Sequence, residues 1–181
     1  MAPSTSTKEP DFSHPIELLR ANHERTRVKC TALRQLVSHL KEHGCDEKAR
    51  QMAVKVARYF DTAAHDLHED VELDLLPRMM AAASKGRGSP LTRLVADVTN
   101  EHRALERAWT ELRAALQALA AGDRTSLDFL AVDRFVKLYQ SHIAIANANV
   151  FPLAEMLLTR EDLATIGANM AARRDVSGRP H

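Results

Sequence analysis

The sequence predicts an all-α protein: an up-down-up-down antiparallel four-helix bundle with a short C-terminal extra helix. Apolar residues recur at alternating spacings of three and four along four long segments, which places them on one face of each helix. Short clusters of helix-breaking residues separate the segments, and short connections make consecutive helices antiparallel neighbours. Ala and Leu dominate the apolar residues and aromatic residues make up 4%, whereas strands favour β-branched and aromatic residues.

The first two helices have clear predicted ends. The first runs over about residues 15–43, with Gly44 as its C-cap. Asp46 is the predicted N-cap of the second, which runs over about residues 47–83. Pro77 falls inside this segment, and because proline removes a backbone donor we expect a local bend there rather than a chain reversal.

The second half of the chain repeats this pattern. Ser89 is predicted to cap a third helix with Pro90 at its first position, and Gly122-Asp123 ends it. The fourth helix is predicted to start near Ser126 and to bend at Pro152. A last amphipathic segment, residues 160–174, is predicted to pack across one end of the bundle.

Length and composition limit the function classes. A chain of 181 residues fits one domain, predicted over residues 12–174 between tails 1–11 and 175–181. The net charge of +1 gives no electrostatic argument for nucleic acid or an anionic membrane as a partner. The N-terminal tail lacks the apolar stretch of a secretory signal. Cys30 and Cys45 are too far apart to pair along one helix, so we expect reduced thiols and a cytoplasmic location.

A histidine occupies the apolar face of each predicted helix: His23, His68, His102 and His142. One core histidine is usually no more than a hydrogen-bonded side chain. Four that face one another need a shared partner, because burying an imidazole without one is costly. A metal ion satisfies them, since neutral imidazole is a common metal ligand.

Glu72 adds a carboxylate to this set, because it follows His68 by one helical turn and projects from the same face. A cation stabilises a buried carboxylate, and imidazole with carboxylate suits iron, manganese or zinc. The Glu-x-x-His motif of ferritin-like di-iron bundles does not occur in the sequence. Nor does the zinc-peptidase motif His-Glu-x-x-His. Three neighbours, His65, Glu69 and Glu101, are expected to be rim or solvated residues.

These residues resemble the hemerythrin-like (HHE) family over about residues 12–174. The run His68-Glu69-Asp70-Val71-Glu72 before Leu75-Leu76-Pro77 resembles the family's first signature, His-x-x-x-Glu followed by Leu-Phe-Pro. His142-Ile143 through Val150-Phe151-Pro152 resembles the second copy. His23 and Glu101-His102 match the two single-histidine positions.

The resemblance implies a non-haem iron protein with an oxo- or hydroxo-bridged di-iron centre. By position, the four histidines would be terminal ligands and Glu72 a bridging carboxylate. Members of the family bind or sense dioxygen, and some respond to nitric oxide or peroxide. Dioxygen or a related small ligand is therefore the implied partner.

Ala146 departs from the family pattern, because a second bridging glutamate is expected one turn after His142. Asn147 and Asn149 bridge metals poorly, and Asn147 is expected to point away from this face. Two divalent ions about 3.5–4 Å apart repel, and bridging anions make that spacing tolerable. Three outcomes stay open. The site could remain dinuclear with water, hydroxide or an external carboxylate in the gap, keep one metal (iron or another divalent ion), or be metal-poor.

Three functions are therefore hypotheses at this point. The first is a carrier, store or sensor of a small diatomic or peroxide ligand. The second is an iron enzyme that reacts with peroxide or dioxygen at the coordination position left open by Ala146. The third is a metal-poor helical module that interacts with, or regulates, a protein partner that the sequence does not identify.

Overall fold

The computed structural model of the chain describes residues 10–83 and 90–177, and every regular element in these ranges is helical. The predicted cap Ser89 lies outside these residues, as do most of the predicted tails. The elements are α1 Pro15–His43, α2 Glu47–Asp61, α3 Ala63–Glu69, a first π-helical segment Asp70–Leu75, α4 Leu76–Ala82, α5 Pro90–Ala121, α6 Phe129–Ile145, a second π-helical segment Ala146–Val150, α7 Phe151–Leu157 and α8 Arg160–Ser177.

The loop between α1 and α2 confirms both predicted caps. Gly44 has a φ of 71°, in the left-handed region that glycine adopts without a Cβ penalty, and its N–H donates to Leu40. The Asp46 side chain accepts a hydrogen bond from the Ala49 N–H at 2.7 Å. This bond satisfies one of the unpaired N–H groups at the start of α2.

The prediction of one continuous helix over residues 47–83 was wrong at Thr62. Here α2 ends and α3 begins, because Thr62 has φ −123° and ψ −87°. The Thr62 hydroxyl donates to the carbonyl oxygen of Arg58 at 2.8 Å, and such bonds to the preceding turn disturb helices. The fourth helix also starts later than the predicted Ser126, at Phe129 with Asp128 as its cap.

The two prolines confirm the expectation of no chain reversal. Each is the second residue of the α-helix that follows a π-helical segment, Pro77 in α4 and Pro152 in α7. A proline ring clashes with the carbonyl four residues earlier in an α-helix. The wider π turn, with hydrogen bonds between residues five apart, makes room for the ring while the helix continues.

Four helices pack in a ring, with α1 against α2, α2 against α5, α5 against α6 and α6 against α1. Arg34 of α1 pairs with Asp133 of α6, and Arg20 of α1 pairs with Glu155 of α7. This is a helical bundle, held by ridges of apolar side chains from neighbouring helices.

The core has two apolar clusters, one toward each end of the bundle. Leu33, Leu112 and Phe135 belong to the first cluster, and Leu19, Leu75 and Phe151 belong to the second. Along the chain, His23 and His102 lie between residues of the two clusters, and His68 and His142 lie within a few residues of both. α8 adds the buried side chains of Ile166 and Met170 to the second cluster and so covers that end of the bundle.

Candidate metal centre

All four predicted histidines are buried and lie together. His23, His68, His102 and His142 are each no more than 6% exposed. The rings of His68 and His102 stack with their centroids 4.1 Å apart, and His142 approaches His102 at 4.7 Å and His23 at 5.6 Å. One ring nitrogen each of His68, His102 and His142 lies within 4.8 Å of the others.

The outer ring nitrogens fix the tautomers of two imidazoles. Glu72 Oε1 lies 2.6 Å from His102 Nδ1, and Glu101 Oε2 lies 2.9 Å from His142 Nδ1. An ionised carboxylate only accepts hydrogen bonds, so each Nδ1 carries the proton and each Nε2 keeps a lone pair. These two Nε2 atoms are 3.3 Å apart. Two lone pairs at that distance repel one another unless a cation lies close to both.

Two further nitrogens are buried without a hydrogen-bond partner. Within the described ranges, these are Nε2 of His23 and Nε2 of His68. Buried polar atoms are nearly always paired, and an exception calls for an ion or another group that completes the site. His68, His102 and His142 together therefore fit a metal cation, which accepts lone pairs from several nitrogens at once. His23 lies outside this group of three, and its ring packs against the edge of His142.

Burial also keeps these rings in the state that binds metal. Desolvation lowers the pKa of His23 to about 4, although a hydrogen bond to Asn147 opposes it, and lowers the pKa of His68 to about 3. The pKa of His102 is lowered further, again mainly by burial. All three imidazoles are therefore neutral near pH 7, so no proton has to be displaced from them before a cation binds.

Comparison with known proteins agrees with this chemistry. Residues 14–154 match the family described as Hemerythrin HHE cation binding domain. The chain belongs to the hemerythrin HHE family. A protein of Haemophilus influenzae named only as uncharacterized is 28% identical over 165 residues, which cover 91% of this chain and 92% of that protein. The resemblance seen in the sequence is thus confirmed, and α8 lies beyond the matched residues.

Glu72 of this HHE domain lies at the outer edge of His102, on Nδ1 rather than among the inward nitrogens. Its side chain is 35% exposed. Burial is the main cause that raises the pKa of this carboxyl group, followed by the nearby charge of Glu106. The role of bridging ligand stays a prediction. In the present arrangement, Glu72 orients an imidazole and increases its basicity, as carboxylates beside metal-binding histidines do.

Two residues of the HHE domain were wrongly expected to face away. Glu101 bonds His142, as described above, and is about one quarter exposed. Asn147 Oδ1 lies 3.0 Å from His23 Nδ1. Three of the four imidazoles thus have a polar partner on Nδ1, and this common pattern directs their Nε2 atoms into the bundle. His65, by contrast, confirms its predicted rim position, because it is half exposed and pairs with Glu69 at 3.4 Å.

Ala146 is buried in the second π-helical segment and belongs to the second apolar cluster. Its methyl group offers no ligand atom, so the second π-helical segment brings no carboxylate at this position. Cys30 and Cys45 are free thiols, and neither belongs to the histidine cluster. None of the described helices is both long and apolar enough to cross a membrane.

Proposed function

We propose that this HHE domain binds iron between its helices through His23, His68, His102, His142 and Glu72. Dioxygen or a related diatomic or peroxide molecule is its proposed ligand, and the protein acts as a carrier, store or sensor. The observation that carries this proposal is the distance of 3.3 Å between the Nε2 atoms of His102 and His142. Each Nε2 keeps a lone pair, because a carboxylate accepts a hydrogen bond from the Nδ1 of the same ring. Iron is favoured because neutral imidazole with carboxylate is a donor set that it accepts.

The side chains around the histidines control what reaches the site. Phe151 stacks on His23 at 5.2 Å, and Tyr139 lies parallel to His68 at 6.0 Å. Both aromatic side chains are buried. They exclude bulk water from two sides of the site, which strengthens the attraction between the imidazole lone pairs and a cation. Bound iron supplies the redox chemistry by which small oxidants are captured.

Ala146 offers no ligand atom where a second carboxylate is expected in the family. We propose that a metal held here would lack a protein ligand on this side, where a small ligand, water or an external carboxylate would bind. A site with two metals needs more negative charge than Glu72 alone supplies, so one metal per chain is the simpler expectation. The same open position supports the second candidate, an iron enzyme that turns over peroxide or dioxygen.

Three finer properties belong to the same proposal. The opposed residue pairs between neighbouring helices support an up-down-up-down antiparallel topology with α8 as the extra helix. The domain is proposed to span residues 12–174. The free thiols of Cys30 and Cys45 support a reducing compartment such as the cytoplasm.

Anaerobic reconstitution tests the function. Metal-free protein is titrated with iron(II), the iron bound per chain is measured, and the sample is then exposed to air. We expect about one iron per chain and a new visible absorption band on aeration. A protein loaded with zinc(II), which is not redox-active, is the matched control and stays colourless. Iron bound without any spectral change in air would contradict the ligand assignment, and failure to bind iron would contradict the whole proposal.

A further inference from the structure

α8 lies outside the residues that match the family, yet it contacts the first π-helical segment directly. Two of its arginines, Arg173 and Arg174, pair with Asp70 and Asp74 of that segment. Arg174 Nη2 lies 2.6 Å from Asp70 Oδ2, and Arg173 Nη2 lies 2.7 Å from Asp74 Oδ2. Arg173 also contacts Asp70 through Nη1. The two acidic side chains are thus connected by one guanidinium.

These charges are buried. The Asp70 side chain is fully buried, and that of Asp74 is 6% exposed. Asn169 of α8 donates a further hydrogen bond to Asp74 Oδ1 at 2.6 Å. Desolvation offsets much of the attraction in a buried ion pair, so well-packed apolar residues would often stabilise a fold equally well. Buried ion pairs instead fix the orientation of the groups that they join, because the planar guanidinium of an arginine binds carboxylate oxygens in a defined geometry.

The segment that these arginines hold is also the one that carries Glu72. A π-helical turn is rare and occurs mostly as a short bulge within an α-helix, and the ion pairs to α8 hold this one from outside. Asp70 and Asp74 flank Glu72 by two residues on each side. While both carboxylates are bound to α8, the position of Glu72 between them is fixed, and Glu72 reaches His102 Nδ1 at 2.6 Å.

The close packing of α8 against the rest of the chain has independent support at Gly167. A Cβ atom at this position would lie 1.9 Å from the backbone oxygen of Phe12, so no larger residue fits without a shift of the backbone. Ile166 and Met170 on the same helix are completely buried. α8 is therefore packed closely against the bundle through apolar contacts as well as through its arginines.

We propose that α8 is a positioning element of the metal centre. Arg173 and Arg174 fix the first π-helical segment through Asp70 and Asp74, and thereby hold Glu72 on His102. This inference rests on the proposed function for its effect on metal, but the hydrogen bond between Glu72 and His102 is a property of the metal-free protein. Loss of the ion pairs frees Glu72, and the retention of metal falls with it.

Three variants test this role. Arg173→Gln removes the guanidinium that connects Asp70 and Asp74. Arg173→Lys keeps the positive charge but removes the planar guanidinium that binds two carboxylates. Gly167→Ala is expected to displace α8 and removes no charged side chain. This variant is therefore used for the test if Arg173→Gln does not fold. The matched control is Arg78→Gln. It breaks the partly exposed 3.6 Å pair between Arg78 of α4 and Asp162 of α8 but does not touch the π-helical segment.

The first measurement uses metal-free protein. In the wild type, nuclear magnetic resonance should show a downfield Nδ1 proton of His102 that is protected by its bond to Glu72, and Glu72→Gln assigns the signal. We expect Arg173→Gln and Gly167→Ala to lose this signal, and amide exchange over residues 70–76 to rise about tenfold. Arg173→Lys should be intermediate and Arg78→Gln unchanged. An unchanged His102 signal in both disrupted variants would overturn the proposal.

The second measurement is the rate at which iron(II) passes from the loaded protein to a chelator. We expect release about tenfold faster in Arg173→Gln and Gly167→Ala, within the range found when partners of metal-binding histidines are lost. Unchanged release beside a lost His102 signal would contradict the link from α8 to the metal. If the wild type binds no iron, the proposed function fails, and the His102 signal alone decides whether α8 positions Glu72.

Discussion

The two π-helical segments are built alike but are held differently. Each follows a buried histidine of the cluster, His68 or His142, and each precedes a proline. The first segment carries Glu72, and buried ion pairs bind it to α8. The second carries Ala146, and its attachment is an amide: Asn147 contacts His23 through its side chain and accepts a bond from Arg20 through its backbone. The segment that carries Glu72 is held by buried ion pairs, and the segment that carries Ala146 is held by an amide–imidazole contact and one hydrogen bond from a guanidinium.

This difference indicates that the two halves of the site have different tasks. The first half supplies negative charge, a fixed position for Glu72 and a fixed tautomer for His102. In the second half, Glu101 of α5 supplies the negative charge beside His142, and Ala146 contributes no ligand atom. Under the proposed function, histidines of both halves bind the cation, the first half adds Glu72, and the second half leaves the corresponding position for a small ligand.

Removing an inward imidazole should have the largest effect, and it should be equal in both halves. We expect His68→Gln and His142→Gln each to weaken iron(II) binding more than about 100-fold, beyond the loss seen for outer partners of metal ligands. Isothermal titration of metal-free protein measures this. His65→Gln, three residues before His68 but half exposed, is the control. If only one of the two histidines mattered, the common centre between the halves would be wrong.

A carboxylate at position 146 should give the second π-helical segment the kind of side chain that Glu72 provides in the first. We expect Ala146→Glu to raise the iron bound per chain toward two. It should also destabilise the metal-free protein by about 1–3 kcal/mol, because a polar group is then buried without a partner. Metal analysis and thermal unfolding measure the two effects. Ala148→Glu, at an exposed position of the same segment, should change neither. Equal iron per chain in Ala146→Glu and wild type would refute a bridging role for position 146.

Two isosteric substitutions separate a bridging carboxylate from an orienting one. Glu101→Gln removes the charge beside His142, and we expect iron(II) affinity to fall about 10-fold, toward the lower end of the range for such partners. Glu72→Gln should cost at least 10 times more if Glu72 also binds the metal. The affinities are measured by competition with a chelator, and Glu24→Gln, an exposed change beside His23, is the control. Equal losses for Glu72 and Glu101 would restrict Glu72 to orientation.

The smallest effect on iron affinity is expected from a change at Asn147, the amide of the second π-helical segment. Asn147→Ala removes the partner of His23 Nδ1, and an unpaired buried group costs about 1–3 kcal/mol of unfolding free energy. We expect this loss in a denaturant titration of the metal-free protein, with iron affinity lowered by no more than about 10-fold. Asn149→Ala, exposed in the same segment, should be neutral. A larger loss of iron affinity than for Glu72→Gln would show that the second half retains the cation more strongly than the first.

The histidine cluster could be predicted from the sequence because helical periodicity is local. Spacings of three and four place His23 and His102 on apolar faces without knowledge of the partners. Asp46 and Gly44 were predictable for the same reason, since a cap depends on its own turn. The bundle followed from these faces and from the short connections between them.

The partners of the histidines could not be predicted in this way. Glu101 precedes His102 on α5 yet bonds His142 on α6, so its role depends on the distance and rotation between two helices. Asn147 is displaced by a π-helical segment, which changes the direction of side chains relative to an α-helix. Sequence periodicity assumes one regular helix and therefore missed both.

The role of α8 left a signal in the sequence that was not used. Asp70 and Asp74 are four residues apart in an otherwise apolar stretch, and Arg173-Arg174 is an adjacent basic pair on the last amphipathic segment. Burial of two acids requires cations nearby. Which cations meet them depends on contacts across about 100 residues of chain, and local patterns do not contain that information.

X-ray absorption at the iron edge tests the central claim most directly. The sample is protein reconstituted with iron(II), and the quantity measured is the set of atoms bound to the metal. We predict nitrogen and oxygen neighbours with the multiple scattering of at least three imidazole rings, reduced by one ring in His142→Gln. A spectrum without imidazole scattering, or one that is the same in His142→Gln, would contradict a cation held by histidines from the interior of the bundle.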